Sequence, residues 1–316
     1  MTTLNAISAE GLRKSYGGHT VLNGIDLEVP SGSIFGLLGP NGAGKTTMVQ
    51  ILSTLIGADG GQVRVAGHDL SQNPSAVRAA IGVTGQFSAV DDLLTGRENL
   101  KLMANLHHLG RAEAERYATE LLERFDLVSA AGKPAAAYSG GMRRRLDLAM
   151  TLVGDPQLIF LDEPTTGLDP RSRRDLWQVI RDLVAGGVTV FLTTQYLEEA
   201  DALADRIAVL DHGVLVAEGT ADELKQLVPG GHIRLQFSDS AGLTAAACAV
   251  DGSARDDQAL SLHVPTDGSL PSLRALLERL DRAQVQIDAL TVHMPDLDDV
   301  FLTLTGHPST EMETAR

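Results

Sequence analysis

A glycine-rich loop, GPNGAGKTT, occupies residues 39–47 and offers the residue types that bind phosphate groups. Its three glycines, Gly39, Gly42 and Gly44, allow the backbone to curl so that successive N–H groups surround an anion. Lys45 supplies a cation for the β- and γ-phosphates of a nucleotide, and Thr46 supplies a hydroxyl for Mg²⁺. The other loop residues predicted to bind the nucleotide are Pro40, Asn41, Ala43 and Thr47.

The segments on either side of the loop provide the context that a phosphate-binding loop requires. An apolar run from Ile34 to Leu38 precedes it and predicts a buried strand, and MVQILSTLIG follows with the apolar spacing of a helix. This order distinguishes a phosphate loop from a glycine-rich surface turn, because the helix start adds a positive dipole end and unpaired N–H donors. A nucleotide with Mg²⁺ is therefore the predicted cofactor.

Two carboxylates end a second apolar run, PQLIFLDEP, at residues 156–164. We expect Asp162 to reach Mg²⁺ directly or through water. Glu163 is placed to polarise an attacking water as a general base, a role that contributes about 10²–10⁴-fold in rate. The alternative is a pair of acids that only cap a strand before Pro164, and the pair alone does not decide between the two.

The order of apolar segments predicts an α/β fold built on a mostly parallel sheet. Residues 4–38 alternate as half-buried strands do, which indicates an antiparallel β-subdomain, and residues from about 87 to 155 have helical spacing. Ligands bind at the carboxyl ends of parallel strands. The strand GVTVFLTTQ ends at Gln195, so this side chain should lie near the two carboxylates.

A linker-like segment, VPGGH, predicts the division of the chain into residues 1–228 and residues 229–316. The second part contains no lysine, and its strand, strand, helix, strand and helix patterns predict a small α+β domain with a ferredoxin-like arrangement. The final residues, STEMETAR, are expected to be a frayed tail.

Composition limits the possible partners. The net charge is −15, from 26 Lys plus Arg against 41 Asp plus Glu, which argues against binding along a nucleic acid, although Arg143, Arg144 and Arg145 form a local basic cluster. No window approaches the roughly 18 apolar residues of a membrane helix, and the first residues show no secretion signal. One cysteine, Cys248, fits a reducing cytoplasm and is expected to be a packed small side chain.

Four further motifs, in order, resemble those of ATP-binding cassette (ABC) proteins. YSGGM at residues 138–142, followed by RRRL, resembles the signature loop, and TTGLDP at 165–170, which contains Asp169, resembles the D-loop. Gln86 matches the Q-loop glutamine, which binds nucleotide and Mg²⁺, and Tyr16 matches the aromatic residue that stacks on adenine. The resemblance covers residues 4–220 and implies an ATPase of the P-loop type.

The signature loop has two features that bear on assembly. Ser139, Gly140 and Gly141 predict a helix start with free N–H groups and no side chains to block an anion. The family closes two nucleotide domains head to tail around two ATP molecules, so a homodimer of this domain is expected. Met142 replaces the usual glutamine of the motif, and it cannot form the hydrogen bonds of an amide.

Gln195 stands at the position of the family's switch histidine. Glutamine can donate a hydrogen bond to the γ-phosphate but cannot carry a proton near neutral pH. We therefore expect Gln195 to orient the phosphate, with Glu163 as the main base and Lys45 as the catalytic cation.

TTQYLEEAD, YSGGMRRRL and the segment PDLDDVFLTLTG resemble one branch of the family, the daunorubicin-resistance type of exporter subunit. The resemblance implies a separate polytopic membrane permease, peripheral attachment at the cytoplasmic face of the membrane, and efflux of a hydrophobic drug or lipid that this chain does not itself bind. The permease contact is expected near Gln86 and residues 87–94, with Phe87 as a coupling residue.

Three alternatives remain open from the sequence. One is a soluble ABC ATPase that acts on ribosomes or nucleic acid, which the single cassette and the acidic charge disfavour. The second is a module that holds ATP without hydrolysing it, which Gln195 and Met142 keep possible. The third is a nutrient importer subunit. For the C-terminal domain, a stabilising role and a regulatory or permease-binding role are both open.

Overall fold

The computed structural model describes residues 5–85, 89–228 and 231–306. These residues form two compact units, and the boundary falls between Ala221 and Asp222. The sequence predicts the boundary a few residues later, at 228/229, because that prediction rests on the linker-like VPGGH segment. A short helix (Ala221–Lys225) separates the two positions.

Two sheets organise the first unit. One is antiparallel, with the order β2-β1-β4-β5, and the other has the order β10-β9-β3-β8-β7-β6. In the second sheet β9, β3, β8, β7 and β6 run parallel, and β10 is an antiparallel edge strand. The strands are β1 (Asn5–Tyr16), β2 (His19–Pro30), β3 (Ile34–Leu38), β4 (Gly60–Val65), β5 (His68–Asp69), β6 (Ile81–Thr84), β7 (Leu158–Asp162), β8 (Thr189–Thr194), β9 (Arg206–Asp211) and β10 (Val214–Gly219).

In the described part of the chain, eight α-helices connect or follow these strands, and the last of them begins at the boundary between the two units. They are α1 (Lys45–Leu52), α2 (Pro74–Ala80), α3 (Gly96–Leu106), α4 (Arg111–Arg124), α5 (Gly140–Thr151), α6 (Pro170–Ala185), α7 (Leu197–Leu203) and α8 (Ala221–Lys225). The start of α3 shows why the chain turns helical there. The Thr95 side chain accepts from the Glu98 amide at 3.2 Å, and Glu98 accepts from the Thr95 amide at 2.8 Å. Such a cap contributes about 0.5–2 kcal/mol.

Three phenylalanines align the strands that lead to the site. The ring of Phe35 stacks on Phe191 at 5.7 Å between centroids, and Phe160 contacts Phe191 at 5.6 Å. All three are fully buried, and each contributes about 1.5–3 kcal/mol through burial. Because they fix β3, β8 and β7 side by side, the carboxyl ends of these strands meet at one edge: Leu38 pairs with Thr194, and Asp162 pairs with Thr193. The predicted parallel α/β architecture is confirmed.

The second unit is an antiparallel sheet with the order β12-β13-β11-β14. Its elements are β11 (Gly231–Gln236), α9 (Ser240–Ala249), β12 (Ala254–Asp256), β13 (Ser261–Thr266), α10 (Leu270–Arg282), β14 (Ala289–His293) and α11 (Leu297–Thr305). The chain order β-α-β-β-α-β, with the first and third strands at the centre, is the ferredoxin-like arrangement expected from the sequence. The expectation omitted α9 and β12, because SAGLTAAACA has small apolar residues on all sides and ARD is short.

Cys248 corrects one expectation. It lies on α9, where Leu243, Ala246 and the following Val250 face the core of the second unit. The Cys248 side chain is exposed rather than packed, because it falls on the opposite face of the helix.

Among the described residues, no helix is long and apolar enough to cross a lipid bilayer.

Candidate active site

The glycine-rich loop connects β3 to α1, and close packing against neighbouring backbone explains its glycines. A Cβ added at Gly39 would lie 2.3 Å from the carbonyl oxygen of Leu210 on β9. Gly44 has a φ of +113°, and a Cβ there would lie 2.9 Å from the side chain of Leu22. A side chain at either position would therefore displace the loop from the sheet edge.

The turn between β9 and β10 supports the loop from the side. The Gly213 amide donates to the Ala43 carbonyl at 3.2 Å, and the Asn23 amide on β2 donates to the Gly213 carbonyl at 2.8 Å. Gly213 has a φ of +77°, and an added Cβ would meet the Val21 carbonyl at 2.3 Å. The sequence predicts this hairpin turn but gives no signal of its contact with the loop.

Lys45 is the first residue of α1, and its ammonium group faces the loop and the carboxylates. Its Nζ donates to the carbonyls of Gly39 at 2.7 Å and Pro40 at 3.1 Å, and it lies 3.8 Å from a carboxylate oxygen of Glu163. Only 5% of the side chain is exposed. Burial lowers the pKa of Lys45, and the negative charges of Glu163 and Asp162 oppose that shift. A buried cation beside the loop suits an anionic ligand, whose charge would compensate its desolvation.

Asp162 and Glu163 lie at the carboxyl end of β7, where the sequence places them. The buried Thr193 hydroxyl on β8 donates to Asp162 at 2.5 Å. The Glu163 amide donates to the Thr193 carbonyl at 3.1 Å, and the Glu163 carboxylate accepts from the Thr166 hydroxyl at 3.3 Å. Glu163 has a φ of +47°, a conformation that non-glycine residues rarely adopt and that costs about 1–3 kcal/mol.

The loop and Glu163 enclose one cavity of about 260 Å³. Its lining residues are Val21, Pro40, Asn41, Gly42, Gly44, Lys45, Thr46, Thr47 and Glu163. The exposed start of α1 at Thr46 therefore faces the same space as the Glu163 carboxylate. The cavity combines backbone N–H donors, a cation and a carboxylate, which is the set of groups that phosphoryl transfer to water requires.

Ser139 is the N-cap of α5, as the sequence predicts, and its hydroxyl accepts from the Met142 amide at 3.3 Å. Ser139 and Gly140 are exposed, and Gly140 lines a second cavity of about 260 Å³ together with Glu163. A Cβ added at Gly141 would lie 2.8 Å from the Ser172 hydroxyl, so the glycine allows α5 to approach the start of α6.

Asp169 caps α6 and fixes the D-loop. Its carboxylate accepts from the Arg171 amide at 3.0 Å, the Ser172 amide at 3.0 Å and the Ser172 hydroxyl at 2.6 Å. These hydrogen bonds, that of the Ser172 hydroxyl first, hold the pKa of Asp169 below its usual range. The geometry accounts for Asp169 as a helix cap, and a contact with nucleotide stays a prediction.

The other predicted site residues are placed as follows. Gln195 is half-buried directly after β8, one residue beyond Thr194. Tyr16 ends β1 with 47% of its surface exposed, and it is not among the residues that line the loop cavity. Gln86 and Phe87 lie outside the described residues.

Thr193 and Arg144 are site residues that the sequence analysis did not assign. The TTQ tip of β8 is a weak signal for Thr193. The Arg144 guanidinium donates to the carbonyl of Pro164 at 2.7 Å, and RRRL indicated only a basic cluster there.

A phosphate loop after a parallel strand, a second strand of the same sheet that leads into two carboxylates, and a capped signature helix together define a P-loop ATPase of the cassette class. The family described as ABC transporter matches residues 22–166. The chain is 50% identical to the daunorubicin resistance ATP-binding protein DrrA2 of Streptomyces coeruleorubidus, over 98% of this chain and 97% of that protein. It is 46% identical to the daunorubicin/doxorubicin resistance ATP-binding protein DrrA of Streptomyces peucetius, over 98% and 95%.

A solved structure also matches the chain. An ATP-binding cassette, determined as a dimer in a post-hydrolysis state bound to ADP and phosphate, matches with a TM-score of 0.62 and 25% identity, over 68% of this chain and 98% of that one. The chain belongs to the ABC transporter family, as an ATP-binding and ATP-hydrolysing subunit of the drug-resistance and export type. Subunits of this kind bind nucleotide, dimerise and work with membrane permeases. The comparisons support this function over a soluble ribosome- or nucleic-acid-directed ATPase and over a non-hydrolysing module.

Proposed function

We propose that two copies of this chain close head to tail around two ATP·Mg²⁺ units at the cytoplasmic face of the membrane. Closure and reopening drive a separate polytopic permease that exports a hydrophobic or amphipathic drug or lipid. The relatives named for daunorubicin and doxorubicin resistance support the drug class. ATP is then an intermolecular tether that is released after hydrolysis and loss of phosphate.

The observation that carries this proposal is the exposed N-terminus of α5. Ser139 and Gly140 are exposed, and the helix start presents backbone N–H groups without side chains beyond Ser139. An open helix N-terminus is a binding site for an anion. The chain already has one phosphate loop with its own cation, Lys45. A second phosphate-binding helix start is accounted for if it covers the γ-phosphate held by the loop of another copy.

Within each composite site we assign roles by position. The loop from Gly39 to Thr47 holds the phosphates, Lys45 neutralises the β- and γ-phosphates, and Tyr16 stacks on adenine. Glu163 accepts the proton of the attacking water, and Gln195 orients the γ-phosphate by donating a hydrogen bond. The distance of 3.8 Å between Lys45 and Glu163 supports a shared reaction site.

The residues present fit Mg²⁺. Thr46 and Asp162 offer a hydroxyl and a carboxylate, the hard oxygen donors that Mg²⁺ prefers, and Gln86 adds an amide oxygen in the family pattern. The described residues contain no group of three or more His, Cys, Asp or Glu side chains placed for a metal. Nucleotide phosphates and water would supply the remaining ligands, as is usual for Mg²⁺ in ATPases. The bound ion supplies charge neutralisation of the phosphates.

Size-exclusion chromatography with light scattering tests the proposed dimer. The Glu163→Gln protein in MgATP should shift from 33.5 kDa, the mass of one chain, to about twice that mass, since bound ATP is not consumed. A methyl group added at Gly140 meets only Leu168 of its own chain, at 3.9 Å, so Gly140→Ala is compatible with the fold. In the Glu163→Gln background it should prevent the dimer and leave ATP binding intact, because it covers the exposed amides.

Gly132→Ala is the matched control, because a Cβ there meets nothing within 4 Å. It should leave the ATP-dependent dimer unchanged. A Gly140→Ala protein that dimerises as well as the control would contradict the head-to-tail arrangement.

A further inference from the structure

Three consecutive arginines follow the start of α5, and their guanidinium groups go to three different places. Arg143 pairs with Asp92, in the segment before α3. Arg145 donates to the carbonyl of Phe125 at 3.1 Å, at the end of α4. Arg144 turns toward the carboxyl end of β7. Because each guanidinium has partners within the chain, the basic cluster of the sequence is not an open anion-binding site.

Arg144 holds the backbone on both sides of Glu163. Its Nε donates to the Pro164 carbonyl at 2.7 Å, and one terminal nitrogen donates to the Asp162 carbonyl at 3.4 Å. The other terminal nitrogen pairs with the Asp147 carboxylate at 3.2 Å. The side chains of Arg144 and Asp147 are 14% and 3% exposed. One planar guanidinium thus clamps the two peptide carbonyls that flank a residue in a strained left-handed conformation.

Asp147 connects the same arginine to the segment that follows residue 88. Its other carboxylate oxygen accepts from the Ala89 amide at 3.1 Å. Ala89, Met103 and Asp147 also line a groove of about 270 Å³ between the strand end of β6 and the helices α3 and α5. The buried Asp147 carboxylate therefore connects this groove to Arg144, which in turn holds the carbonyls of Asp162 and Pro164.

We propose that Arg144 is a positioning residue for ATP hydrolysis, that Asp147 holds it in place, and that the pair transmits the position of the Ala89 segment to Glu163. The proposal rests on the role of Glu163 as general base given above. Glu163 occupies its left-handed backbone conformation only as long as its surroundings impose it. Without both carbonyl contacts the Glu163 carboxylate relaxes away from the attacking water, and a misplacement of about 1 Å costs on the order of 10²-fold in rate.

The effect should fall on turnover rather than on nucleotide affinity. The hydrogen bonds of Arg144 go to Pro164, Asp162 and Asp147, and the phosphate loop takes no part in them. A residue that acts only on the transition-state geometry lowers kcat and leaves KM nearly unchanged.

Steady-state ATPase kinetics on the full chain test this inference. Arg144→Gln and Arg144→Lys should lower kcat by about 10- to 100-fold, with KM for ATP within about 3-fold of the wild type. Lysine keeps the charge but cannot bond both carbonyls and Asp147 with a planar fork. Arg145→Lys is the matched control in the same helix, and its kcat should stay within about 2-fold of the wild type, because its partners lie at the end of α4.

A double-mutant cycle tests whether Arg144 and Asp147 act as a unit. In the double variant Arg144→Gln/Asp147→Asn, kcat should be no lower than in the slower single variant. Losses that multiply would overturn the pairing, and a kcat for Arg144→Gln within about 2-fold of the wild type would overturn the positioning role. If Arg144→Gln does not fold, the kcat of Arg144→Lys provides the same test of the positioning role.

Two outcomes separate this inference from the proposed function. If Glu163→Gln hydrolyses ATP at the wild-type rate, the role of Glu163 is wrong, and this inference is wrong with it. If Glu163→Gln is inactive while both Arg144 variants behave as the Arg145→Lys control, the role of Glu163 stands and the inference alone is wrong.

Discussion

Removing the hydroxyl of Thr193 is predicted to lower both the free energy of unfolding of the first unit and the kcat for ATP hydrolysis. This hydroxyl donates to the Asp162 carboxylate at 2.5 Å, and Thr193 is fully buried while Asp162 is 4% exposed. A hydrogen bond to a charged group contributes about 1.5–3 kcal/mol when it is buried. Thr193→Val keeps the shape of the side chain but leaves one carboxylate oxygen of Asp162 without its donor. Thr193→Ser is the matched control, because it loses a methyl group and keeps the donor.

The chain has one tryptophan, Trp177, which is buried on α6 and therefore reports on the first unit alone. Urea unfolding followed by its fluorescence should show Thr193→Val destabilised by about 1.5–3 kcal/mol, and Thr193→Ser by about 1 kcal/mol or less. If the lost bond also displaces Asp162 in the transition state, the same free energy corresponds to about a 10- to 150-fold lower kcat. Equal effects of the valine and serine variants on both quantities would refute this reasoning.

Three further predictions concern the switch position, the permease contact and the second unit. Gln195→Ala should lower kcat for ATP hydrolysis more than it weakens ATP binding, because the side chain orients the γ-phosphate. An unchanged rate of hydrolysis would contradict that role. Leu93 is 88% exposed in the expected permease-binding region, so Leu93→Asp should abolish drug efflux from cells and leave the ATPase activity of the purified chain unchanged; loss of ATP binding would refute this placement. In the second unit, burial first, and then the neighbouring His263 and His293, lower the pKa of His232, while Asp299 raises it and Arg234 lowers it. Since the unfolded chain then binds more protons than the folded one, the stability of the second unit should fall as pH drops below about 6.5. Amide protection factors in β11 should therefore decrease below that pH, and this decrease should be absent in His232→Gln.

The phosphate loop was predictable because its chemistry is local in the sequence. GPNGAGKTT contains the glycines, the cation and the hydroxyl within nine consecutive residues, and the strand and helix on either side have clear periodicity. In the second unit β11, β13 and α10 were predictable for the same reason, since alternation and helical spacing mark them, whereas α9 and β12 were missed. These features need no knowledge of which distant segments meet.

Contacts between distant residues were not predictable in this way. Thr193 reaches Asp162 across 31 positions, and Arg144 reaches the Pro164 carbonyl across 20. Both contacts depend on strand register and on the direction of a side chain, which periodicity does not give. The three arginines on α5 show the same limit of sequence analysis. A run of like charges predicts a basic cluster, whereas each arginine contacts a different partner in the structure.

The central claim is that each ATP site combines the loop of one copy with the signature helix of another, and mixing two inactive variants tests it most directly. Lys45→Ala disables the loop, and Gly140→Ala disables the exposed helix start, so each variant alone should lack ATPase activity. In a mixed head-to-tail dimer one site receives both defects and the other receives none. Mixing equal amounts should therefore restore up to about a quarter of wild-type activity, since half of the dimers are mixed and each has one intact site. A mixture as inactive as either variant alone would contradict the shared site.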